Sequence, residues 1–333
     1  MRVIHRLSTD RLTVSDVLRA AAEASLSIEP ANKMALNLQT PALAGRLLTY
    51  EVHSGLTASA HDITYLSDQE FVVDVEPSLM CGVLLQGDDD VMQVDGHDSV
   101  WRRRERPVLV GFSEPTKCRR PFRTQHRCCG AGFALSANFF DRFAEQVADD
   151  GLSMLNNFCR GGFRTETLAR SPRLLEIARE ALDHCYNGPL GELFLECNAL
   201  SFVLEVAKLL EHERRMVMEI GRTHYDRVMQ AREILDASLI TPPRALELAR
   251  QVGTNITTLQ ANFKIVVGTT VFGYVREQRL LMARVLLREH DVSVAEAGYR
   301  VGFSSPAAFA AAYRRSFGHP PSAETGRNER HDA

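Results

Sequence analysis

The sequence predicts an α+β chain in three parts: a strand-rich front, a helical middle, and an all-α back that carries two helix-turn-helix units. Three observations lead there. Short β-prone runs punctuated by turn residues fill the stretch from Arg46 to Leu135, and helical periodicity takes over after Ser136. Between Ala245 and Pro321 one helix-turn-helix pattern is followed by a long helix and then by a second such pattern. A chain of 333 residues can build two domains with proper cores, and 45% hydrophobic with 24% charged residues is ordinary for a globular protein.

Residues 1–42 offer one helical stretch, Val14 to Ala24, among polar and proline-punctuated segments that carry no readable role. The expected strands are Leu47 to His53, Leu56 to Leu66, Phe71 to Val75, Leu79 to Leu85, Val91 to Val94, Val108 to Phe112 and Cys128 to Leu135. Gly87 to Asp90 and Asp95-Gly96 read as hairpin turns, and such short strands at short intervals favour a small barrel or sandwich. Helices are expected over Asn138 to Val147, Pro172 to His184 and Leu190 to Arg215. In the last of these, Leu193, Leu195, Cys197, Leu200, Val203, Leu204, Ala207 and Leu210 spread widely around the surface. One side must face the strands and another faces a second subunit, so a homodimer is expected, with Leu200, Val203, Leu204 and Ala207 as dimerisation residues.

The first helix-turn-helix runs from Ala245 to Val252, breaks at Gly253-Thr254-Asn255 and continues from Ile256 to Lys264. Leu248, Ala249 and Val252 line one face of its first helix; Ile256, Leu259 and Phe263 line one face of the second. Gly253 suits the turn and Asn255 the N-cap. The second unit repeats this with Ser293 to Gly302, Phe303 to Ser305 and Pro306 to Arg315, where Phe309 and Tyr313 correspond to Leu259 and Phe263. Ser305 as N-cap with Pro306 as first helical residue is a strong start, because proline lacks only an N–H that would be orphaned there. The helix between, Phe272 to Arg288, carries Val275, Arg279, Met282, Ala283, Leu286 and Leu287 on one stripe. At roughly 25 Å in length, it holds two recognition helices about one DNA turn apart.

The outward residues of the two second helices are the expected DNA contacts: Asn255, Thr257, Thr258, Gln260 and Lys264 in the first, and Ser304, Ser305, Ala307, Ala310, Arg314 and Arg315 in the second. Charge partition agrees. From Gly221 onward there are 15 basic and 11 acidic side chains, a net of +4, against a net of −7 for the residues before it. Phosphate neutralisation is local to the binding face, so an acidic sensor joined to a mildly basic reader is a coherent design.

This back third resembles the AraC family of bacterial transcription regulators. The resemblance is carried by Tyr274, Arg279, Leu280, Ala283 and Leu287 in the connecting helix, and by Val301 to Ser305, Phe309, Phe317-Gly318 and Pro321 in the second unit. It implies a cupin-like barrel over residues 1–136, a helical dimerisation segment over 137–216, a hinge over 217–225 and a double helix-turn-helix domain over 226–333. It implies further a transcription regulator, expected to be an activator, whose partners are operator DNA, RNA polymerase, a small-molecule effector and a second copy of itself. The phrase Leu193 to Leu200, with Pro172 and Tyr186 before it, and Thr270 to Arg279 resemble the pyochelin-regulator (PchR-like) subgroup, which implies a ferric siderophore as effector. The family commonly has an arginine where this chain has Ala261 and Ala311, which removes the side chains best suited to read guanine.

Enzyme motifs are absent. There is no His-Glu-x-x-His, no phosphate-binding Gly-x-x-x-x-Gly-Lys-Ser/Thr and no Gly-x-Ser-x-Gly, and Gly130 to Leu135 lacks the third glycine of a dinucleotide fingerprint, so no catalytic residue and no cofactor is assigned. His53, His61, His97 and His126 are scattered and no metal set is assigned to them. The alternative to a ligand sensor is a regulator switched by cysteine oxidation or electrophiles. Cys118, Cys128 and Cys129 stand in a sequence neighbourhood of Lys117, Arg119, Arg120, Arg123 and Arg127, and cations lower a thiol pKa. The same basic cluster, together with Arg102-Arg-Arg-Glu-Arg106 and the lone Trp101, is also the candidate for an acidic ligand, with Arg123 and His126 among the effector candidates. With no apolar run near ~20 residues and no signal-peptide pattern, the expected location is cytoplasmic and off the membrane.

Overall fold

In the computed structural model, residues 2–23, 27–31, 37–87, 90–141, 150–289 and 292–325 are described, and the chain divides into two units, Met1–His212 and Glu213–Ala333. The first opens with β1 (Arg2–Thr13), α1 (Val14–Glu23), β2 (Ser27–Pro30), β3 (Pro41–His53), β4 (Leu56–Tyr65), β5 (Gln69–Val75), β6 (Ser78–Gly87), β7 (Asp90–Val94), β8 (Val100–Arg102), β9 (Val108–Phe112), β10 (Thr116–Phe122) and β11 (Arg127–Leu135). There follow α2 (Ala137–Asp141), α3 (Gly151–Arg160), β12 (Arg164–Thr167), α4 (Pro172–Asp183) and α5 (Gly188–Ile220). All seven strands expected from sequence form; β1, β2, β8, β10, β12 and α3 are additions to that list. The residues of the Asn138 to Val147 helix beyond Asp141, and Asp88-Asp89 of the first hairpin signal, lie outside the described residues.

The strands pair antiparallel into a seven-stranded sheet of order β1-β3-β4-β11-β6-β9-β12 and a five-stranded sheet of order β2-β5-β10-β7-β8. Among the described residues the strands pair into two sheets, as the barrel-or-sandwich expectation allows, without pairing that closes them into one barrel. Strand alternation explains the layering. Along β4 and β11, Ala58, Ala60, Cys129, Ala131 and Phe133 point to a core shared with Leu155, Leu174, Leu175, Ala178, Phe202 and Val206 of α3, α4 and α5. Their neighbours Ile63, Tyr65 and Cys128 join Phe71 and Phe122 of the five-stranded sheet in a second cluster, so the seven-stranded sheet lies between helices and the other sheet. Phe133 meets Phe202 edge-on at 5.5 Å, and Asn198 donates to the Ile177 carbonyl at 2.9 Å, fixing α5 against the sheet and against α4.

Ser171 caps α4 by accepting from the Leu174 N–H, with Pro172 inside the first turn, so this helix starts where its sequence says it should. Helix α5 is longer than expected. It runs through Val217 to Ile220, and the break is Gly221, whose φ of 83° favours glycine. Tyr225, placed by the sequence reading in a hinge, is 4% exposed and belongs to the apolar core of the second unit, as does Met216.

The second unit is all helical: α6 (Arg222–Ala237), α7 (Ala245–Gln251), α8 (Ile256–Val267), α9 (Val271–Glu289), α10 (Val294–Arg300), α11 (Pro306–Phe317) and α12 (Ser322–Thr325). It has two cores and one helix common to both. Val271, Tyr274 and Val275 of α9 pack with Val228, Leu235, Leu248, Leu259 and Phe263, whereas Leu280, Ala283 and Leu287 pack with Ala297, Val301, Phe309 and Tyr313. The expected α9 stripe holds for Val275, Ala283 and Leu287; Met282 is 40% exposed, and Tyr274 and Leu280 take the buried places instead.

Candidate functional site

Asn255 accepts from the Thr258 N–H at 2.8 Å and starts α8, while Gly253 (φ 69°) makes the turn from α7. Burying Leu259, Phe263 and Val266 leaves Thr257, Gln260, Ala261 and Lys264 exposed in one row, with Thr258 half-buried beside them. In α11, Ser305 accepts from the Ala308 N–H at 3.4 Å, and burial of Phe309, Ala312 and Tyr313 leaves Ser304, Ala307, Ala308, Ala311, Arg314 and Arg315 outward. Ser305 and Ala310 are half-buried, so the outer row passes through Ala308 and Ala311 rather than Ala310. Two exposed short helices, each with basic side chains in its last turn, can offer hydrogen bonds, methyl groups and cations to a duplex.

Arg279 holds the two cores in register. Its guanidinium donates to the carbonyls of Leu239 (2.7 Å) and Ile240 (2.9 Å), between α6 and α7, and to the Gly302 carbonyl (3.0 Å) in the turn of the second unit. Gly302 has a φ of 86°, and a β-carbon there would stand about 3.0 Å from that guanidinium, so glycine is required on two counts. Tyr274 supports the first core by donating to Asp236 at 2.6 Å and accepting from Arg232 at 3.0 Å. Glu324 does the same for the second: 2% exposed, it accepts from Arg284, Arg288 and the Tyr313 hydroxyl at 3.0, 2.5 and 3.0 Å.

On α5 two of the four expected dimerisation residues are misplaced. Val203 and Ala207 are 3% and 7% exposed within the core against the seven-stranded sheet, because they follow Ala199, Phe202 and Val206 around the buried face. Besides Met218 near its end, the outward large apolar residues of α5 are Leu190, Leu193, Leu200 and Leu204, at 58, 56, 37 and 55% exposure, with exposed Cys197 between them. Their spacing of three, four, three and four residues is that of a coiled-coil seam.

The structure does not bring the six effector or redox candidates together. Trp101 is 61% exposed on β8, and Arg123 reaches outward to Asp68 at 3.5 Å. Cys118, Cys128 and Cys129 are buried in three different apolar clusters. Burial pushes the Cys118 and Cys129 thiols up to about 11 and raises Cys128 as well, so desolvation outweighs the cations and reverses the sequence expectation of an activated thiol. The ring of His126 lies 6.2 Å from Tyr65.

What the sequence reading missed is the carboxylate that joins two of its basic residues, Arg102 and Arg120, between the sheets. Asp90, 9% exposed on β7, receives Arg102 from β8 at 2.7 Å through Nε, with a second contact through Nη2, and Arg120 from β10 at 2.7 Å. Burial drives the Asp90 carboxyl up, but the two guanidiniums outweigh it and hold it below the usual carboxylate range. From the opposite sheet His61 approaches Cys128 Sγ at 3.2 Å; burial, then Arg102 and Arg120, lower its pKa to about 3. A signal existed: counting outward from the Asp95-Gly96 turn sets Asp90 opposite Arg102. Among the described residues no three His, Cys, Asp or Glu side chains are grouped as metal ligands would be, and no helix is long and apolar enough to cross a membrane.

Comparison with known proteins gives two family matches: "Regulatory protein PchR N-terminal domain" over residues 44–220 and "Helix-turn-helix domain" over residues 248–326. Regulatory protein PchR of Pseudomonas aeruginosa is 30% identical over 226 residues, covering 60% of this chain and 75% of that protein. The HTH-type transcriptional regulator ExsA of the same species is 36% identical over 76 residues, 23% of this chain and 27% of its own length. Among solved structures, an AraC-type transcriptional regulator from Chromobacterium violaceum is 29% identical at a TM-score of 0.30, over 32% of this chain and 95% of that one.

Proposed function

The chain belongs to the PchR N-terminal domain family and is a DNA-binding transcription regulator of the AraC type, and from that premise we propose that it is an effector-controlled activator whose effector is a ferric siderophore. Residues 1–136 sense, 137–216 dimerise, the hinge expected over 217–225 narrows to the break at Gly221 between α5 and α6, and 226–333 read the operator and meet RNA polymerase. The observation that carries the reading is the pair of outward rows on α8 and α11, set on two cores that share α9. The partner is a second copy of the chain, and the α5 seam from Leu190 to Leu204 supports this, because equal heptad spacing on two identical helices is self-complementary. The thiol-switch alternative draws no support from three buried thiols whose pKa values are raised.

The test is binding-site selection with the purified full chain, followed by anisotropy on the selected duplex with and without iron-loaded siderophore. Saturable, sequence-specific binding that the loaded siderophore strengthens, and that iron-free siderophore leaves unchanged, is the expected result. Binding with no preference among duplexes would end the regulator reading; specific binding indifferent to the siderophore would end only the choice of effector.

A further inference from the structure

The polar group between the sheets is not balanced. Asp90, on the middle strand of β10-β7-β8, is the carboxylate shared by two guanidiniums, Arg102 on one neighbour and Arg120 on the other. Two positive charges face one negative charge; across the gap His61 is held neutral by its surroundings, and burial keeps the Cys128 thiol and the Tyr65 hydroxyl protonated, so none of the three adds a charge. The Arg120 Nε is buried and has no hydrogen-bond partner. An excess of positive charge at a partly buried site and an orphaned donor both cost stability. Tying β7 to both of its neighbours accounts for one arginine on each, but not for the orphaned donor or for the excess of positive charge. Strained polar arrangements of this kind are characteristic of binding sites.

The surroundings indicate what would complete it. Arg102 and Arg120 are 19% and 27% exposed at their side chains, so part of each is open to solvent, whereas the Asp90 side chain between them is 8% exposed. Arg120 also lies over the Phe122 ring at 5.2 Å, and Phe122 stacks on Tyr65 at 4.0 Å. A guanidinium fork matches the two oxygens of a carboxylate, and an aromatic wall beside it favours an apolar or aromatic body.

We propose that Arg102 and Arg120 bind the carboxylate of a small effector with an aromatic or apolar body, and that Asp90 is an internal competitor that occupies the fork when no effector is present. Effector binding then exchanges one carboxylate for another, or adds a second to a fork that has a donor to spare. The strand pairings β7–β8 and β10–β7 are the elements that would register the exchange. This rests on the reading of the strand-rich unit as the effector sensor.

The test uses the full chain, free of DNA, with benzoate as probe, benzamide as its neutral counterpart and inorganic phosphate at matched ionic strength. Trp101, the single tryptophan, precedes Arg102 on β8 and reports by its fluorescence. Benzoate should give a saturable change that benzamide does not. Asp90→Asn should respond at about a tenfold lower benzoate concentration and Arg120→Met at about a tenfold higher one or not at all. Arg123→Met, which removes an exposed guanidinium close by in sequence, should behave as wild type. Should Asp90→Asn fail to fold, wild type against Arg120→Met decides. The proposal is overturned if benzamide acts as well as benzoate, if Arg120→Met responds as wild type does, or if no probe acts; a response to phosphate that exceeds the response to benzoate overturns the carboxylate assignment. Each of these results leaves sequence-specific DNA binding standing, whereas loss of any effector dependence in the anisotropy assay would remove the sensor reading itself.

Discussion

At the scale of residues, the absence of arginine at Ala261 and Ala311 is expected to divide the labour between α8 and α11. Gln260 is the outward side chain of α8 that can hydrogen-bond two positions of a base edge, whereas α11 offers methyl groups at Ala307, Ala308 and Ala311 and cations at Arg314 and Arg315. Gln260→Ala is expected to cost roughly 1–3 kcal/mol on the selected site and to relax preference at one base pair. Arg314→Ala should weaken all duplexes alike and reduce the slope of affinity against salt by about one. Glu324 gives a different kind of prediction. Burial raises its carboxyl, but Arg288, Tyr313 and Arg284 more than offset that and hold its pKa below the ordinary value. Its stabilisation is thus complete above the unfolded value of about 4.3 and disappears as pH falls through the folded one. Glu324→Gln should lose about 1–3 kcal/mol of stability at neutral pH, towards the lower end because Arg284 and Arg288 are one-third exposed. The difference from wild type should shrink on acidification; denaturant melts at several pH values measure it. Caps and turns such as Asn255, Ser305 and Gly253 were legible because their chemistry is local. The environment of Cys128 was not, because its basic neighbours in sequence alternate across the strand while burial is set by the sheet beyond.

At the scale of elements, two adjacent residues of α5 should behave oppositely. Val203→Glu places a charge in the core and should yield little folded protein, whereas Leu204→Glu, 55% exposed, should give a folded monomer seen by sedimentation. A folded Leu204→Glu that stays dimeric would move the interface elsewhere. The missed strands share a cause. In Thr116–Phe122 the apolar side chains buried are Cys118 and Phe122, the rest being basic residues, a threonine and a proline, and Arg164–Thr167 is wholly polar because it closes the edge of its sheet. Neither shows the alternation on which strand reading depends. Helices α7 to α11 were legible almost to the residue, since caps such as Asn255, Ser293 and Ser305 and a repeated apolar face mark them, whereas α6, which has no side-chain cap, was not read and its first turn was placed in a hinge. The exception was Met282, because a helix that serves two cores changes its buried face partway along.

At the scale of the whole molecule, the two units divide at Glu213, inside α5, and the sequence carries no mark of that point, because the helix continues through Val217 to Ile220 with no stop signal before Gly221. The weak basic excess of the back predicts modest non-specific affinity, with specific complexes favoured at physiological salt; titration of a random duplex against the selected one measures the gap. Arg279→Met should remove about 1.5–3 kcal/mol and separate the unfolding of the two reading cores, visible as a broadened calorimetric transition. The sharing of α9 has a consequence for the promoter as much as for the protein. Inserting one residue into that helix would turn everything beyond it by about 100° and advance it by about 1.5 Å. Arg279, tied on both sides, allows no such slippage. The number of base pairs between the two halves of the operator is therefore written into the residue count of a single helix, and neither can drift in evolution without the other.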